Sequence, residues 1–134
     1  MLRSLIVVPL LPLLALFGCG EEEVMCTEMA AVSAMVHVVD SEGNPLAAEV
    51  TATDAAGQPV QAVCAEMDAS DGCSDWNVGY EVEGVIEIHA EVYDGCNYGS
   101  GDGSVDVPLD ESGCHVVGQD LTITIGEWTD LDCG

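Results

Sequence analysis

The chain has 134 residues, of which 25 are acidic and one is basic, so its formal net charge at pH 7 is −24. The one basic residue is Arg3, so everything after it lacks Lys and Arg. This composition excludes binding to nucleic-acid phosphates, electrostatic attachment to anionic lipid, and catalysis that clamps an anion with Lys or Arg.

Residues 1–18 have the pattern of a bacterial export signal. Arg3 supplies the positive start, and an apolar run from Leu5 to Phe17 follows. That run is shorter than the roughly 20 residues that a membrane-spanning helix needs. The run closes on Leu16-Phe17-Gly18-Cys19, which resembles the lipobox of bacterial lipoproteins. The resemblance implies that Cys19 becomes the first residue after cleavage and carries the lipid.

Residues 19–31 are predicted to be the acylated cysteine and an acidic tether. Two or three acyl chains hold a protein stably on a membrane, whereas one chain does so only marginally. Lipoproteins kept at the inner membrane often carry Asp directly after the cysteine, and Gly20 stands there instead. The resemblance therefore implies attachment to the outer membrane, facing the periplasm or the cell surface.

The cysteine pattern predicts a disulfide framework. Removing residues 1–18 leaves 116 residues, enough for one domain. An even number of cysteines in an exported chain favours disulfides. The sequence does not indicate a zinc site, because no Cys-x-x-Cys occurs. We expect Cys64 to pair with Cys73 across a turn, Cys96 with Cys114 around a glycine-rich segment, and the two end cysteines with each other. The six cysteines that follow Cys19 are Cys26, Cys64, Cys73, Cys96, Cys114 and Cys133.

Period-two alternation and turn residues predict an all-β domain. The turn residues Asp40, Gly43 and Pro45 recur fourteen positions later as Asp54, Gly57 and Pro59, and a β-branched run lies between the two turns. The four glycines of residues 94–103 predict a loop. The strands are expected at Val32–Val39, Ala48–Thr53, Val60–Met67, Trp76–Tyr80, Val85–Tyr93, Ser104–Leu109 and Leu121–Ile125.

These strands predict a single seven-stranded antiparallel β-sandwich over residues 32–126, stapled by disulfides. Residues 127–134 are predicted to form a C-terminal tail tied by Cys133. The segment Val38-Val-Asp-Ser-Glu-Gly-Asn-Pro-Leu-Ala-Ala-Glu-Val50 resembles the opening motif of carboxypeptidase regulatory-like domains. The resemblance implies a prealbumin-like (transthyretin-like) sandwich. In that family the domain is usually an accessory module beside an enzyme or transporter.

Two groups of residues are candidate metal ligands. His37 and His89, with Glu87 and Glu91, would surround an ion such as Zn²⁺ if their strands were neighbours, although alternation alone explains their spacing as a polar face. Carboxylate and carbonyl oxygens of the acidic loops suit Ca²⁺, but neither acidic loop has EF-hand spacing. The candidate Ca²⁺ ligands are Asp94, Asn97, Asp102 and Asp106, with a second acidic group at Asp68, Asp71 and Asp75.

No sequence pattern favours catalysis, so no catalytic residue is assigned. Gly-x-Ser-x-Gly does not occur, and sandwich relatives that hydrolyse hydroxyisourate end in Tyr-Arg-Gly-Ser, where this chain ends in Asp132-Cys133-Gly134. The predicted function is therefore that of an exported, membrane-anchored lipoprotein that presents a non-enzymatic binding or structural module to a cell-envelope protein or glycan. The alternative is a Ca²⁺-dependent adhesion or carbohydrate-binding module that uses an Asp94–Asp106 loop.

Overall fold

The computed structural model describes residues 26–66 and 72–133. The predicted signal peptide 1–18, the lipid site Cys19, the tether as far as Met25, and Asp68 and Asp71 lie outside these residues. No helix long and apolar enough to cross a membrane occurs within the described ranges. The strands are β1 Val32–Asp40, β2 Glu49–Asp54, β3 Pro59–Val60, β4 Ala62–Cys64, β5 Asp75–Tyr80, β6 Gly84–Asp94, β7 Asn97–Val107, β8 Gln119–Ile125 and β9 Trp128–Asp130.

The strands form two sheets, which confirms the all-β, two-sheet, disulfide-linked fold predicted from the sequence. The four-stranded sheet has the order β4-β5-β1-β8, and the five-stranded sheet has the order β3-β2-β6-β7-β9. The described part of the chain has nine strands rather than seven, because β3, β4 and β9 are two or three residues long and too short to show a period. The predicted third strand is in fact β3 and β4, which belong to different sheets.

One strand pair departs from the predicted antiparallel arrangement. β1 and β8 are parallel, with Ala34 opposite Gln119 and Asp40 opposite Ile125. The first and last long strands therefore lie side by side, and every other strand except β9 comes between them in the sequence. Alternation within a strand does not specify the direction of its neighbour, so the sequence pattern carried no signal for this pair.

The repeated turn has the same structure both times. One carboxylate oxygen of Asp40 accepts the backbone N–H groups of Glu42 and Asn44, each at 2.9 Å. Asp54 does the same for the residues two and four positions further on, also at 2.9 Å. The glycine of each turn has a positive φ, 85° at Gly43 and 78° at Gly57. The aspartate side chain thus replaces a backbone acceptor and sets where each strand ends.

The core between the sheets consists of small and branched aliphatic side chains. Alternate residues of β1, β2, β6 and β8 point inward, in the register that the sequence predicted for each of these strands. The buried hydrophobic residues are Ala34, Val36, Val38, Ala48, Val50, Ala52, Cys73, Val78, Ile86, Ile88, Ala90, Val92, Val107, Val116, Ile123 and Ile125.

The predicted glycine-rich loop at residues 94–103 is wrong, because residues from Asn97 onward belong to β7. β6 and β7 form a long hairpin in which Asp94 pairs with Asn97 and Gly84 with Val107. Gly99, Gly101 and Gly103 face the other sheet, where Ile125, Ile123 and Leu121 of β8 lie directly against the strand backbone. A Cβ at Gly101 would lie 2.6 Å from Cγ2 of Ile123. These glycines are present because the opposite sheet occupies the space of their side chains.

The disulfides are Cys26–Cys114, Cys64–Cys73 and Cys96–Cys133. The prediction for Cys64–Cys73 is confirmed, and the predicted pairs Cys96–Cys114 and Cys26–Cys133 are wrong. The reason is that the segment between Cys96 and Cys114 is a strand and not a loop. Cys96 lies in the β6–β7 turn, whereas Cys114 follows the far end of β7, an eleven-residue strand that is about 33 Å long.

Candidate functional site

The outer surface of the five-stranded sheet carries a group of polar side chains, which we call the His89 face. Strand pairing places Thr51, His89 and Asp102 in one row across β2, β6 and β7, and it places Thr53, Glu87 and Ser104 in the next row. Glu91 belongs to the adjoining row. The face is polar because every second residue of these strands points away from the core.

His89 is held between two carboxylates. Its Nδ1 lies 2.6 Å from Oδ1 of Asp102 on β7, and its Nε2 lies 3.2 Å from Oε1 of Glu91 on its own strand. The bond to Asp102 raises the pKa of His89 above its ordinary value, and the bond to Glu91 acts in the same direction against partial desolvation. The imidazole therefore gains protonated character from its neighbours, and its plane is fixed from both sides.

The network continues to the hairpin end of the face. The hydroxyl of Tyr98 donates to Oε1 of Glu91 at 3.2 Å, and the rings of Tyr98 and Tyr93 lie 5.1 Å apart in a tilted arrangement. Desolvation raises the pKa of Tyr98, and the adjacent Glu91 carboxylate raises it further. Tyr98 therefore stays neutral and donates through its hydroxyl group. The rings of Tyr93 and Tyr98 form the boundary of the face at its hairpin end.

A depression of about 500 Å³ lies over the two central rows of the face. Its lining residues include hydroxyl-bearing residues, two carboxylate residues and His89. The volume falls within the range of about 300–1,000 Å³ that is typical of small-molecule sites. The lining residues are Thr51, Ala52, Thr53, Glu87, Ile88, His89, Asp102, Gly103 and Ser104.

We expect Asp102→Asn to lower the pKa of His89, because the Asp102 hydrogen bond is the largest cause that raises it. Since the pKa is raised in the fold, this interaction stabilises the protein fully below the unfolded pKa of about 6.5 and is lost as pH rises through the folded pKa. An NMR titration of the His89 ring protons measures the effect. Glu91→Gln is expected to have a smaller effect in the same direction. An unchanged His89 titration in Asp102→Asn would contradict the assigned network.

The four candidate Ca²⁺ ligands are spread along the β6–β7 hairpin and do not converge. Asp94 and Asn97 pair at the turn, whereas Asp102 is five residues along β7, about 17 Å away, and Asp106 is about 13 Å beyond it. No group of three or more His, Cys, Asp or Glu that could hold a metal ion occurs within residues 26–66 and 72–133. Asp102 belongs instead to the His89 face.

His37 and His89 do not meet, because their strands belong to different sheets, so the condition for the candidate Zn²⁺ site is not fulfilled. His37 lies on β1, on the outer surface of the four-stranded sheet, with Nδ1 2.7 Å from Asp75 and Nε2 3.8 Å from Asp120. Each histidine thus has its own pair of carboxylates, on opposite sides of the molecule. The Asp120–His37 group is a natural control for experiments on Asp102 and His89.

His115 fastens three segments beside the Cys26–Cys114 disulfide. Its Nδ1 lies 2.5 Å from Oε1 of Glu81, and its Nε2 lies 2.8 Å from the hydroxyl of Thr27. Glu81 also accepts the backbone N–H groups of Ala31 and Val116. The Ala31 bond and then the His115 bond lower the pKa of Glu81. The lead-in to β1 is thereby tied to the turn before β6 and to the segment before β8.

Sequence reasoning placed Thr51 and His89 on outward faces but did not bring them together. The information lacking was which strands pair, since β2 and β6 are far apart in the chain. A signal for the Asp102 contact was present: Asp94-Gly95-Cys96-Asn97 has the length and composition of a hairpin turn. Continuing strand pairing away from that turn places Asp102 opposite His89.

No protein-family model, curated protein sequence or solved structure matches the chain. The functional proposal therefore rests on the fold and the His89 face of this chain alone. The resemblance of Val38–Val50 to carboxypeptidase regulatory-like domains stays a prediction from that motif.

Proposed function

We propose that this chain is an exported, lipid-anchored binding module that holds a small polar ligand on the His89 face without transforming it. The observation that carries the proposal is the depression over Thr51, Thr53, Glu87, His89, Asp102 and Ser104, whose polar groups come from three adjacent strands. Sites built on strands keep their geometry better than sites built on loops.

The charge of the face limits the class of ligand. Its carboxylates and hydroxyls accept hydrogen bonds, and no Lys or Arg occurs after Arg3 to balance an anion. Both ring nitrogens of His89 are already bonded to carboxylates. A ligand rich in donors, such as a sugar or an amine, complements this surface, whereas a phosphate or carboxylate ligand meets like charge.

Binding suits the face better than catalysis. A general base needs a free nitrogen near the reacting proton, and His89 has a carboxylate on each nitrogen. The Thr27–His115–Glu81 chain has the order of a nucleophile, a base and an orienting acid. However, the neighbouring backbone N–H groups of Ala31 and Val116 both donate to Glu81 and cannot stabilise an oxyanion.

Export and lipid attachment are supported by independent features. The Leu16–Cys19 ending of residues 1–18 resembles a lipobox, and the three disulfides suit an oxidising compartment. The chain's acidity rules out electrostatic adsorption to anionic membranes, so a lipid on Cys19 is the attachment that its composition allows. We place the module at the outer membrane, facing the periplasm or the cell surface.

The binding proposal is tested by calorimetry of the protein against a panel of envelope sugars and polyamines, with matched anions as negative probes. Asp102→Asn is expected to lower the affinity for the tightest-binding ligand by about tenfold or more. The change removes a charged acceptor and the carboxylate that holds His89 in place. Asp120→Asn is the control, since it changes a carboxylate beside a histidine on the opposite sheet. Equal losses in both variants, or binding of the anions alone, would contradict the proposal.

A further inference from the structure

β8 is the longest strand at an end of either sheet in the described chain. The longer β7 is also unpaired on its outer side beyond Gly99, but that stretch carries Asp102 and Asp106. β8 has seven residues and pairs with β1 on one side only, whereas the other sheet-end strands, β4, β3 and β9, have three, two and three residues. β8 contains no proline, and its only charged residue is Asp120 near its start. Native edges are normally short, charged or interrupted, because an open strand pairs with another chain.

Exposed apolar side chains lie at both ends of this edge. Leu109 and Val117, 45% and 44% exposed, belong to the segment that leads into β8. Trp128 and Leu131, 39% and 47% exposed, lie just after β8 ends. Trp128 pairs with Gly99, which also faces Ile125, so Trp128 lies beside the end of β8. The backbone N–H of Leu131 donates to the Cys96 carbonyl at the β6–β7 turn.

We propose that β8 pairs antiparallel with β8 of a second copy of this chain, forming a dimer with a continuous eight-stranded sheet. An open edge offers a row of backbone N–H and C=O groups that another extended strand satisfies. In a two-fold antiparallel pair, the start of one β8 lies beside the end of the other. Leu109 and Val117 of each copy then face Trp128 and Leu131 of its mate, so the apolar contacts form twice.

Charge favours this edge for contact between two acidic molecules. Asp120 lies near one end of the strand, so central antiparallel registers place it opposite an uncharged residue of the mate. The exposed threonines Thr122 and Thr124 meet near the middle, where cross-strand Thr–Thr pairs are favourable. The long-range repulsion between the two copies remains and is screened by salt.

The dimer is tested by sedimentation equilibrium of the purified full chain in density-matched detergent. A seven-residue strand pair with two apolar contacts is a small interface, so the concentration range extends to about 0.5 mM. The dimer fraction is expected to rise as salt increases from about 0.05 to 0.5 M, because the screening length falls from about 14 to 4 Å. If the edge instead binds a basic peptide strand, the purified chain stays monomeric, and its binding of such a peptide weakens as salt rises. That result would overturn the proposal.

Matched variants locate the interface. Thr122→Asp with Thr124→Asp adds four charges to the paired strands and is expected to weaken the dimer by about tenfold or more. Thr51→Asp with Thr53→Asp, on the other sheet, makes the same chemical change and is expected to leave the dimer unchanged. Hydrogen exchange of the unmutated chain provides a readout that needs no variant: protection of residues 119–125 must rise with protein concentration. Equal weakening by both variants, or exchange independent of concentration, would overturn the assignment.

Discussion

Replacing Cys26 and Cys114 together by alanine is expected to lower the free energy of unfolding by about 4–5 kcal/mol, the largest loss among the three disulfides. The bridge closes a sequence separation of 88 residues, against 37 for Cys96–Cys133 and 9 for Cys64–Cys73. In the chain-entropy description, a longer loop removes more conformations from the unfolded chain. A domain of this size is stable by about 5–15 kcal/mol, so this change alone brings the fold near its limit.

The matched variants are the corresponding double alanine replacements of the other two pairs. Loop length predicts about 4 kcal/mol for Cys96 with Cys133 and about 2.5–3 kcal/mol for Cys64 with Cys73. Cys73 is buried, so its replacement adds a small packing loss to the second figure. Urea unfolding of the three variants measures the order. A larger loss at Cys64–Cys73 than at Cys26–Cys114 would show that the long bridge does not constrain the unfolded chain as assigned.

Gly101→Val is expected to destabilise the fold by about 2–3 kcal/mol, because its side chain would occupy space already filled by β8. The first added carbon would lie 2.6 Å from Cγ2 of Ile123 and 3.2 Å from Cδ1 of Ile125. Both side chains are buried and hold the opposite sheet, so neither moves without opening the core. The gain of strand propensity from glycine to valine is at most about 1 kcal/mol and does not offset the overlap.

Ser100→Val is the control for Gly101→Val. Ser100 is the preceding residue of β7 and is exposed on the outer face, so the change is expected to stay within about 0.5 kcal/mol of the parent. Ile123→Ala shortens the side chain that faces Gly101 and gives a second check. The double variant Ile123→Ala with Gly101→Val should lose less free energy of unfolding than the sum of the two single losses. Equal stability of Gly101→Val and the parent would mean that the glycines do not face β8.

The sequence predicted the fold well wherever the signal was local. The two Asp-x-x-Gly-x-Pro turns carry their own hydrogen-bond acceptors, and the branched aliphatic residues of β6 and β8 alternate strictly, so strand position and inward face followed from neighbouring residues. The Cys64–Cys73 pair was also predictable, because both residues flank one turn.

The errors arose where a residue's role depends on a distant strand. Gly99, Gly101 and Gly103 signal a loop when read alone, and they are strand residues only because β8 packs against them. That single error also misassigned Cys96 and Cys114, and it made Asp94–Asp106 look like a cation-binding loop. The His89 face was missed for a related reason: Thr51, His89 and Asp102 belong to three strands whose order alternation does not specify.

We propose that the chain is a lipid-anchored module closed by three specific disulfides. The most direct test is mass spectrometry of the protein extracted from membranes without reduction. Proteases specific for Asp and Glu are required, because no Lys or Arg follows Arg3. We predict an N-terminal acylated Cys19 together with linked peptides for Cys26–Cys114, Cys64–Cys73 and Cys96–Cys133. An unmodified Cys19 within a longer chain, or a peptide that links Cys26 to Cys133, would contradict the account.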